Sequence, residues 1–177
     1  GETAEIVATV RNDTPSRKGC MAAFHRFGGF YRDIELEATP DVWVDDAWVR
    51  GNYDNKSAIV NVTVQHAGDH PPTEIFAAIA ITTIDGTNMG NVEIPVEMNE
   101  DGTASISVEI PLEPFQPWTP ETPYLYLANI KLLAAGTAVH GWIERFGVRK
   151  FEVRGDRFFL NDTPFFVHGF GDDAGVP

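Results

Sequence analysis

The sequence contains little that would define a disulfide, a metal site or a nucleic-acid site. Cys20 is the single cysteine among 177 residues, which excludes an intrachain disulfide and a multi-cysteine metal site. It fits a reduced compartment, or a secreted protein that needs no disulfide. Lys and Arg number 13 against 26 Asp and Glu. Because phosphate binding needs a clustered basic surface, the net charge of −13 argues against a nucleic-acid partner.

Other common signals are missing as well. No apolar run approaches the ~20 residues that a membrane-spanning helix needs, so we expect no membrane span. No Gly-rich phosphate loop occurs. The histidines show no metal-ligand spacing with cysteine or carboxylate; they are His25, His66, His70, His140 and His168. We therefore expect neither a metal nor a cofactor.

A period of two dominates the pattern of apolar residues. In residues 57–66 and 103–110, apolar and polar side chains alternate, which is typical of half-buried strands. The inward residues would be Ala58, Val60, Val62 and Val64, then Ala104, Ile106, Val108 and Ile110. Similar runs cover residues 42–50, 75–84, 92–98, 124–133 and 139–148. Seven strands separated by turn signals predict an all-β, immunoglobulin-like β-sandwich without a central disulfide.

Partial β segments flank the predicted sandwich. Residues 3–11 and 30–37 read as strands, but they are too few to enclose a core of their own. After the sandwich, Gly155 and Asp156 separate two strand-like runs, as in a tight hairpin. Residues 161–164, with the sequence Asn-Asp-Thr-Pro, supply a second turn.

Three motifs follow one another in the last third of the sequence. They are Trp-Thr-Pro-Glu-Thr-Pro-Tyr-Leu-Tyr at 118–126, Arg-Phe-Gly-Val-Arg at 145–149, and Phe-Leu-Asn-Asp-Thr-Pro-Phe-Phe-Val-His-Gly at 159–169. Near the start, Gly-Gly-Phe-Tyr-Arg-Asp-Ile-Glu-Leu occupies residues 28–36. In order and approximate separation these motifs resemble those of the family two glycoside hydrolases.

The resemblance implies a division into three parts. Residues 1–38 would be the last strands of a sugar-binding-like jelly roll, and residues 39–150 the immunoglobulin-like sandwich. Residues 151–177 would be the hairpin that leads into a catalytic (β/α) barrel. The family's two catalytic glutamates lie inside the barrel, beyond Pro177, so we expect no catalytic residue in this chain.

His168, Asp172 and Asp173 form the only cluster that resembles a site. Paired carboxylates can serve acid–base chemistry or bind a hard cation, and the alternative is a solvated loop, which we prefer for the isolated chain. In the intact enzyme, the resemblance implies that they help to bind substrate. Many family members have Asn and His where this chain has Gly171 and Asp173. This departure points to a divergent subgroup, so we assign no sugar specificity.

Two further sets of residues allow a functional or a structural interpretation. Arg145 and Arg149 could grip the carboxylate of an acidic sugar, but we expect them to pair with acidic partners and fix the sandwich against the barrel. Flat aromatic faces suit a pyranose ring, yet aromatic residues in strands are usually core, and Trp118 between prolines is expected to pin a loop. The tryptophans in question are Trp43, Trp48, Trp118 and Trp142.

We interpret the chain as a non-catalytic segment of a retaining β-glycoside hydrolase. Its partners would be the jelly roll and the barrel of the same polypeptide, the latter with its carbohydrate substrate, and we favour a periplasmic or secreted parent. The alternative is a free-standing, fibronectin-like binding or adhesion module.

Apolar residues near both ends, including Ile6, Val10, Phe158, Phe165 and Phe166, would lack their natural partners. We expect them to pack on the sandwich or on other copies of the chain, or to be mobile.

Overall fold

The computed structural model describes residues 5–9, 30, 32–68, 72 and 74–169. Cys20, Val10, Asp172 and Asp173 lie outside these residues. The chain divides into two compact units, residues 38–167 and residues 1–37 together with 168–177. In the part that the structure describes, every regular element is a strand, and no helix has the length and apolar character of a membrane span.

Residues 38–167 contain ten antiparallel strands. They are β1 (Val42–Asn52), β2 (Ser57–His66), β3 (Ile75–Thr83), β4 (Asn88–Pro95), β5 (Thr103–Pro111), β6 (Tyr126–Ala134), β7 (Thr137–Phe146), β8 (Phe151–Arg154), β9 (Arg157–Leu160) and β10 (Thr163–Phe165). The first sheet has the order β1-β2-β5 and the second β4-β3-β6-β7. Together they form the predicted β-sandwich. Strands β8–β10 form a third sheet, in the order β10-β9-β8, which we call the small sheet.

The core of the sandwich follows from the alternation in the sequence. Val60, Val62 and Val64 of β2 are almost fully buried. Ile79 and Ile81 of β3, which belongs to the other sheet, are buried in the same core. Each such side chain contributes about 1.5–3 kcal/mol through burial. The inward positions predicted for β2 and β5 are confirmed, except that Val108 is only partly buried.

Strand β1 contains a β-bulge that changes which side chains share a face. Val44 pairs with Val64 and Asp46 with Thr63, so Asp45 is the extra residue. Val44 also donates its amide to Nδ1 of His140 in β7, at 3.2 Å, which joins an edge of one sheet to the other. In a regular strand, two residues five positions apart would point to opposite faces. Because of the extra residue, Trp43 and Trp48 lie on the same outer face.

Tyr126 begins β6 and anchors the preceding loop. Its ring is fully buried and stacks on Phe146, with ring centroids 5.5 Å apart. Its hydroxyl accepts a hydrogen bond from the amide of Gln116 at 2.8 Å and donates one to the carbonyl of Gln116 at 3.0 Å. This is the arrangement of a tyrosine corner in immunoglobulin-like folds. Burial raises the pKa of the Tyr126 hydroxyl above its ordinary value.

The predicted strand bounds need correction mainly at β4, which begins at Asn88 instead of residue 92 and ends at Pro95. Its first residues, Asn-Met-Gly-Asn, show no alternation of apolar and polar types. Met89 is nevertheless buried, and a Cβ at Gly90 would lie 2.8 Å from Ile110 Cγ2 and from the Pro111 carbonyl oxygen. The strand thus depends on a close approach that only glycine permits.

The predicted strands of the N-terminal segment do not appear among its described residues. Residues 5–9 and 32–37 have no strand assignment, and all of them are exposed, including Ile6 at 83% and Leu36 at 93%. An extended segment becomes a strand only when a partner strand accepts its backbone hydrogen bonds. The prediction that residues 1–38 end a jelly roll therefore remains a prediction.

Candidate functional site

Of the three residues predicted to bind substrate, the described structure includes His168. His168 is exposed, and Asp172 and Asp173 lie outside the described residues. Across the described ranges, no three histidine, cysteine, aspartate or glutamate residues form a group that could hold a metal ion. The roles assigned to these three residues stay predictions.

The feature with the most specific geometry is the junction between the sandwich and the small sheet. Asn161, in the turn between β9 and β10, uses all of its hydrogen-bonding groups there. Its amide donates to the Lys150 carbonyl at 2.8 Å, while its Oδ1 accepts from the Lys150 amide at 3.0 Å. Its Nδ2 donates to the Trp118 carbonyl at 2.9 Å, and its carbonyl accepts from the Tyr53 hydroxyl at 3.3 Å. One residue thus ties the small sheet to two separate segments of the sandwich, at Tyr53 and Trp118, and to Lys150, which directly precedes β8.

The turn geometry explains why asparagine stands at this position. Asn161 and Asp162 have φ angles of 50° and 65°, in the left-handed region that two-residue hairpin turns use. Asparagine tolerates this conformation better than most residues, and its short amide remains close to the backbone. The turn predicted at residues 161–164 is confirmed, as is the hairpin turn at Gly155, whose φ is 64°.

Trp118 holds the loop before β6 against the segment after β7. Its amide donates to the Val148 carbonyl at 2.8 Å. A Cβ at Gly147 would lie 3.1 Å from Cδ1 of Trp118, so glycine allows the indole to approach the backbone closely. The prediction that Trp118 pins a loop is confirmed.

Arg149 contacts Trp118 and not a carboxylate. Its guanidinium carbon lies 4.9 Å from the centroid of the Trp118 ring, within the range of a cation–π contact. No ion pair involves Arg145 or Arg149 within the residues the structure describes. The expected acidic partners are not among these residues, and a planar guanidinium also stacks well on an aromatic face. That the two arginines fix the sandwich against the barrel stays a prediction.

The ion pairs of the junction belong to Lys150 and Arg154. The Nζ of Lys150 lies 2.7 Å from Asp54, in the β1–β2 turn, and 3.4 Å from Asp162. Arg154 pairs with Asp162 and with Glu152. The hydrogen bond from Arg154, with that from Lys150, holds the pKa of Asp162 below its usual range. Asp54 and Asp162 raise the pKa of Lys150 in turn.

The face of the small sheet that carries most of its apolar side chains is open to solvent. Phe151 stacks on Phe158, with ring centroids 5.6 Å apart, and meets Phe165 edge-on at 6.3 Å. Phe151 is nevertheless 50% exposed and Val153 64% exposed. A concave region of roughly 480 Å³ lies beside them, lined by Phe158, Phe165, Phe166 and Val167 among others. We call this surface the aromatic face.

A shallow groove of roughly 670 Å³ lies on the outer surface of the four-stranded sheet. Ala78 and Ala80 belong to its lining, together with Glu93 and Lys131, which pair with Ala78 on either side. The amide of Asn129 is already used, because it donates to Thr82 Oγ1 at 3.1 Å. The sheet therefore occupies Asn129, while Glu93 and Lys131 supply the charged groups of the groove.

The four tryptophans occupy different environments. Trp142 is partly buried against the core, and its Nε1 is buried without a hydrogen-bond partner among the described residues. Trp48 is 51% exposed, and Trp43 is half-buried on the same face. The expectation that strand tryptophans belong to the core is therefore wrong for Trp48 and Trp43, neither of which packs against the core.

Sequence reasoning missed the role of Asn161 and the common face of Trp43 and Trp48. The only signal for Asn161 was the Asn-Asp pair in a predicted turn, which specifies local geometry but no distant partners. For the tryptophans the decisive feature is the bulge at Asp45. Its sequence signal is the pair Asp45-Asp46, two consecutive polar residues that interrupt the alternation of β1 and that the prediction of this strand does not take into account.

Comparison with known proteins gives consistent results. The family described as "Glycosyl hydrolases family 2" matches residues 42–149. A β-galactosidase of Thermoanaerobacter pseudethanolicus is 27% identical over 166 residues, which cover 90% of this chain and 21% of that protein. A β-galactosidase of Streptococcus thermophilus is 29% identical over 140 residues, which cover 78% of this chain and 13% of that protein.

Solved structures share the fold. A β-glucuronidase from glycoside hydrolase family 2 superposes with a TM-score of 0.66 at 17% sequence identity, over 75% of this chain and 15% of that one. At that identity the likeness concerns the fold alone. The chain spans about a fifth or less of the length of the curated relatives named above.

Proposed function

The chain belongs to family 2 of the glycosyl hydrolases, and we propose that it is a non-catalytic segment of a retaining β-glycosidase. In this role the sandwich spaces and docks other domains of the same polypeptide. The observation that carries the proposal is the small sheet, which is fixed to the sandwich by Asn161 and opens its aromatic face to solvent.

The aromatic face supports docking of a further domain. Contiguous exposed apolar surface is unfavourable in water and usually marks an interaction site. Phe151, Val153 and Phe158 lie together on this surface, and all three remain exposed to solvent. We propose that the catalytic barrel covers the aromatic face, that the N-terminal segment belongs to a jelly-roll domain, and that the barrel holds the carbohydrate substrate.

The junction carboxylates are poorly suited to catalysis. A glycosidase needs one carboxyl group whose raised pKa lets it protonate the leaving group, and a second carboxylate about 5–9 Å away. Asp162 instead has a lowered pKa, because Arg154 and Lys150 hold it in its charged form. Asp54 and Glu152 are also paired with Lys150. These groups support a structural role.

The fibronectin-like alternative accounts for the sandwich alone. Two sheets packed around an apolar core would serve a free-standing adhesion module equally well. Such a module has no use for a third sheet that is clamped at one end and exposes aromatic side chains. The small sheet therefore favours a module that joins domains.

Two measurements test the proposal. The purified chain should not hydrolyse nitrophenyl-β-galactoside above a buffer blank, and turnover that persists through repurification would contradict the non-catalytic role.

In the full-length protein, Phe158→Asp should lower glycosidase activity and thermal stability, because it places a charge in the docking interface. Ile143→Asp, a change at an exposed isoleucine on β7, is the matched control. Equal behaviour of the two variants would contradict docking through the aromatic face.

A further inference from the structure

We propose that the outer face of the three-stranded sheet binds an extended, neutral oligosaccharide chain by stacking sugar rings on Trp43 and Trp48. This binding site adds to the proposed function but does not depend on it, because binding can be measured without hydrolysis. We call this surface the tryptophan face.

The bulge in β1 creates the spacing of the two indoles. Trp43 pairs with Gln65 and Trp48 with Asn61, so the two tryptophans stand four positions apart along β2. At about 3.3 Å per residue this separation is about 13 Å. That distance exceeds one sugar ring, so a ligand that stacks on both indoles must be a chain.

Between the two tryptophans, the tryptophan face is polar and available to hydroxyl groups. Asp46 and Thr63 form the row between the two tryptophans, and Ser105 continues that row on β5. Ser107 continues the row of Trp48 and Asn61. Within the described residues, the side chains of Asp46, Thr63, Ser105 and Ser107 make no hydrogen bond of their own. Short hydroxyl and carboxylate groups beside aromatic rings suit a ligand with both an apolar ring face and hydroxyl groups.

The negative charge on this face and on the whole chain favours a neutral ligand over an anionic one. Asp46 is exposed at the centre of the face, and the whole chain carries a net charge of −13, so a polyanion would be repelled. The cation on this face is Arg50, one row beyond Trp48 and on the same row as Glu109. The Glu109 carboxylate is held by Asn55, with an Nδ2–Oε1 distance of 3.0 Å, and by Ser57. It is therefore committed to the sheet and not to a ligand.

Single exposed apolar residues are ordinary on protein surfaces and need no function. The tryptophan face differs because a backbone irregularity places a second indole on the same surface as Trp48. Without the extra residue at Asp45, the two side chains would point to opposite faces of the strand.

Affinity electrophoresis of the 177-residue chain tests this proposal. Native gels would contain a soluble β-galactan, a β-glucan or a galactomannan, with polygalacturonate as the anionic comparison. At least one neutral polysaccharide should retard the wild-type chain and blue-shift its tryptophan fluorescence. Trp48→Ala should weaken retardation by about tenfold or more, and Trp48→Phe should keep part of it.

The control variant is Ile143→Ala, which removes an exposed apolar side chain from the other sheet and should bind like the wild type. Circular dichroism would verify that all variants fold. The proposal is overturned if no neutral polysaccharide retards the chain, if folded Trp48→Ala is retarded like the wild type, or if polygalacturonate binds best. Loss of affinity in Trp48→Ala with unchanged Ile143→Ala supports it, whether or not the full-length protein is a glycosidase.

Discussion

The sandwich and the small sheet are both antiparallel β structures, but different interactions hold them. In the sandwich, two sheets bury their inner faces against each other, and side chains such as Ile79 and Ile130 are almost completely hidden. The small sheet leaves its main apolar face open and is fixed by hydrogen bonds that converge on Asn161. Burial is non-directional and provides stability, whereas hydrogen bonds are directional and determine orientation. The difference indicates that the junction hydrogen bonds mainly fix the position of the small sheet on the sandwich.

The largest expected effect comes from the core of the sandwich. Ile130→Ala should lower the free energy of unfolding by about 2–5 kcal/mol, because it removes buried methyl groups and leaves a cavity. Ile143→Ala, at an exposed position of the adjacent strand, should change it by less than about 0.5 kcal/mol. Urea denaturation measures both values. Similar losses in the two variants would show that the register of β6 and β7 is wrong.

A smaller effect is expected at the tyrosine corner. Tyr126→Phe keeps the buried ring but leaves the amide and carbonyl of Gln116 without their partner. We expect a loss of about 0.5–1.5 kcal/mol for each of the two hydrogen bonds, the net contribution of a typical intramolecular hydrogen bond, because Gln116 is exposed and water can replace the hydroxyl. Chemical denaturation checks the value. Tyr124→Phe is the control, since that hydroxyl has no hydrogen bond among the described residues.

A local effect is expected at the junction. Asn161→Gly keeps the left-handed turn accessible but removes the two hydrogen bonds of the side chain, for a loss of about 1–3 kcal/mol. Amide hydrogen exchange should become faster in β9 and β10 and stay unchanged in β2, β3 and β6. Uniformly faster exchange would mean that the small sheet and the sandwich unfold as one unit. This result would contradict the conclusion that different interactions hold the two regions.

The smallest effect concerns pH. Arg154 and Lys150 lower the pKa of Asp162 in the folded chain relative to the ordinary value of 3.8. The stabilising contribution of this ion pair is therefore complete above that value and is lost as pH falls through the folded pKa. The stability difference between wild type and Asp162→Asn should shrink below pH 3.8 and diminish with added salt. Carboxyl NMR titration of Asp162 would contradict this if its pKa were at or above 3.8.

Much of the sandwich could be predicted because its signals are local. Alternation over ten residues identifies β2 and its inward side chains without reference to any partner. Gly155 and the Asn-Asp pair mark the turns of the small sheet because few residues adopt positive φ. In both cases the information lies within a few consecutive residues.

The functional surfaces could not be predicted in the same way. The bulge at Asp45 depends on how β1 pairs with β2, and nothing in the local sequence requires it. Trp118 and Arg149 meet only because β7 returns beside the preceding loop. The start of β4 depends on the space at Gly90, which Ile110 and Pro111 define from another strand. These features arise from contacts between distant segments, which periodicity does not encode.

The concentration of contacts at Asn161 also has a mechanical consequence. A pull that separates the small sheet from the sandwich loads the bonds to Trp118 and Tyr53 at the same time, because Asn161 carries both of them. Bonds loaded in parallel share the force and rupture together, whereas bonds arranged in series break one after another. The junction should therefore resist small forces as a rigid coupling and then release in a single step.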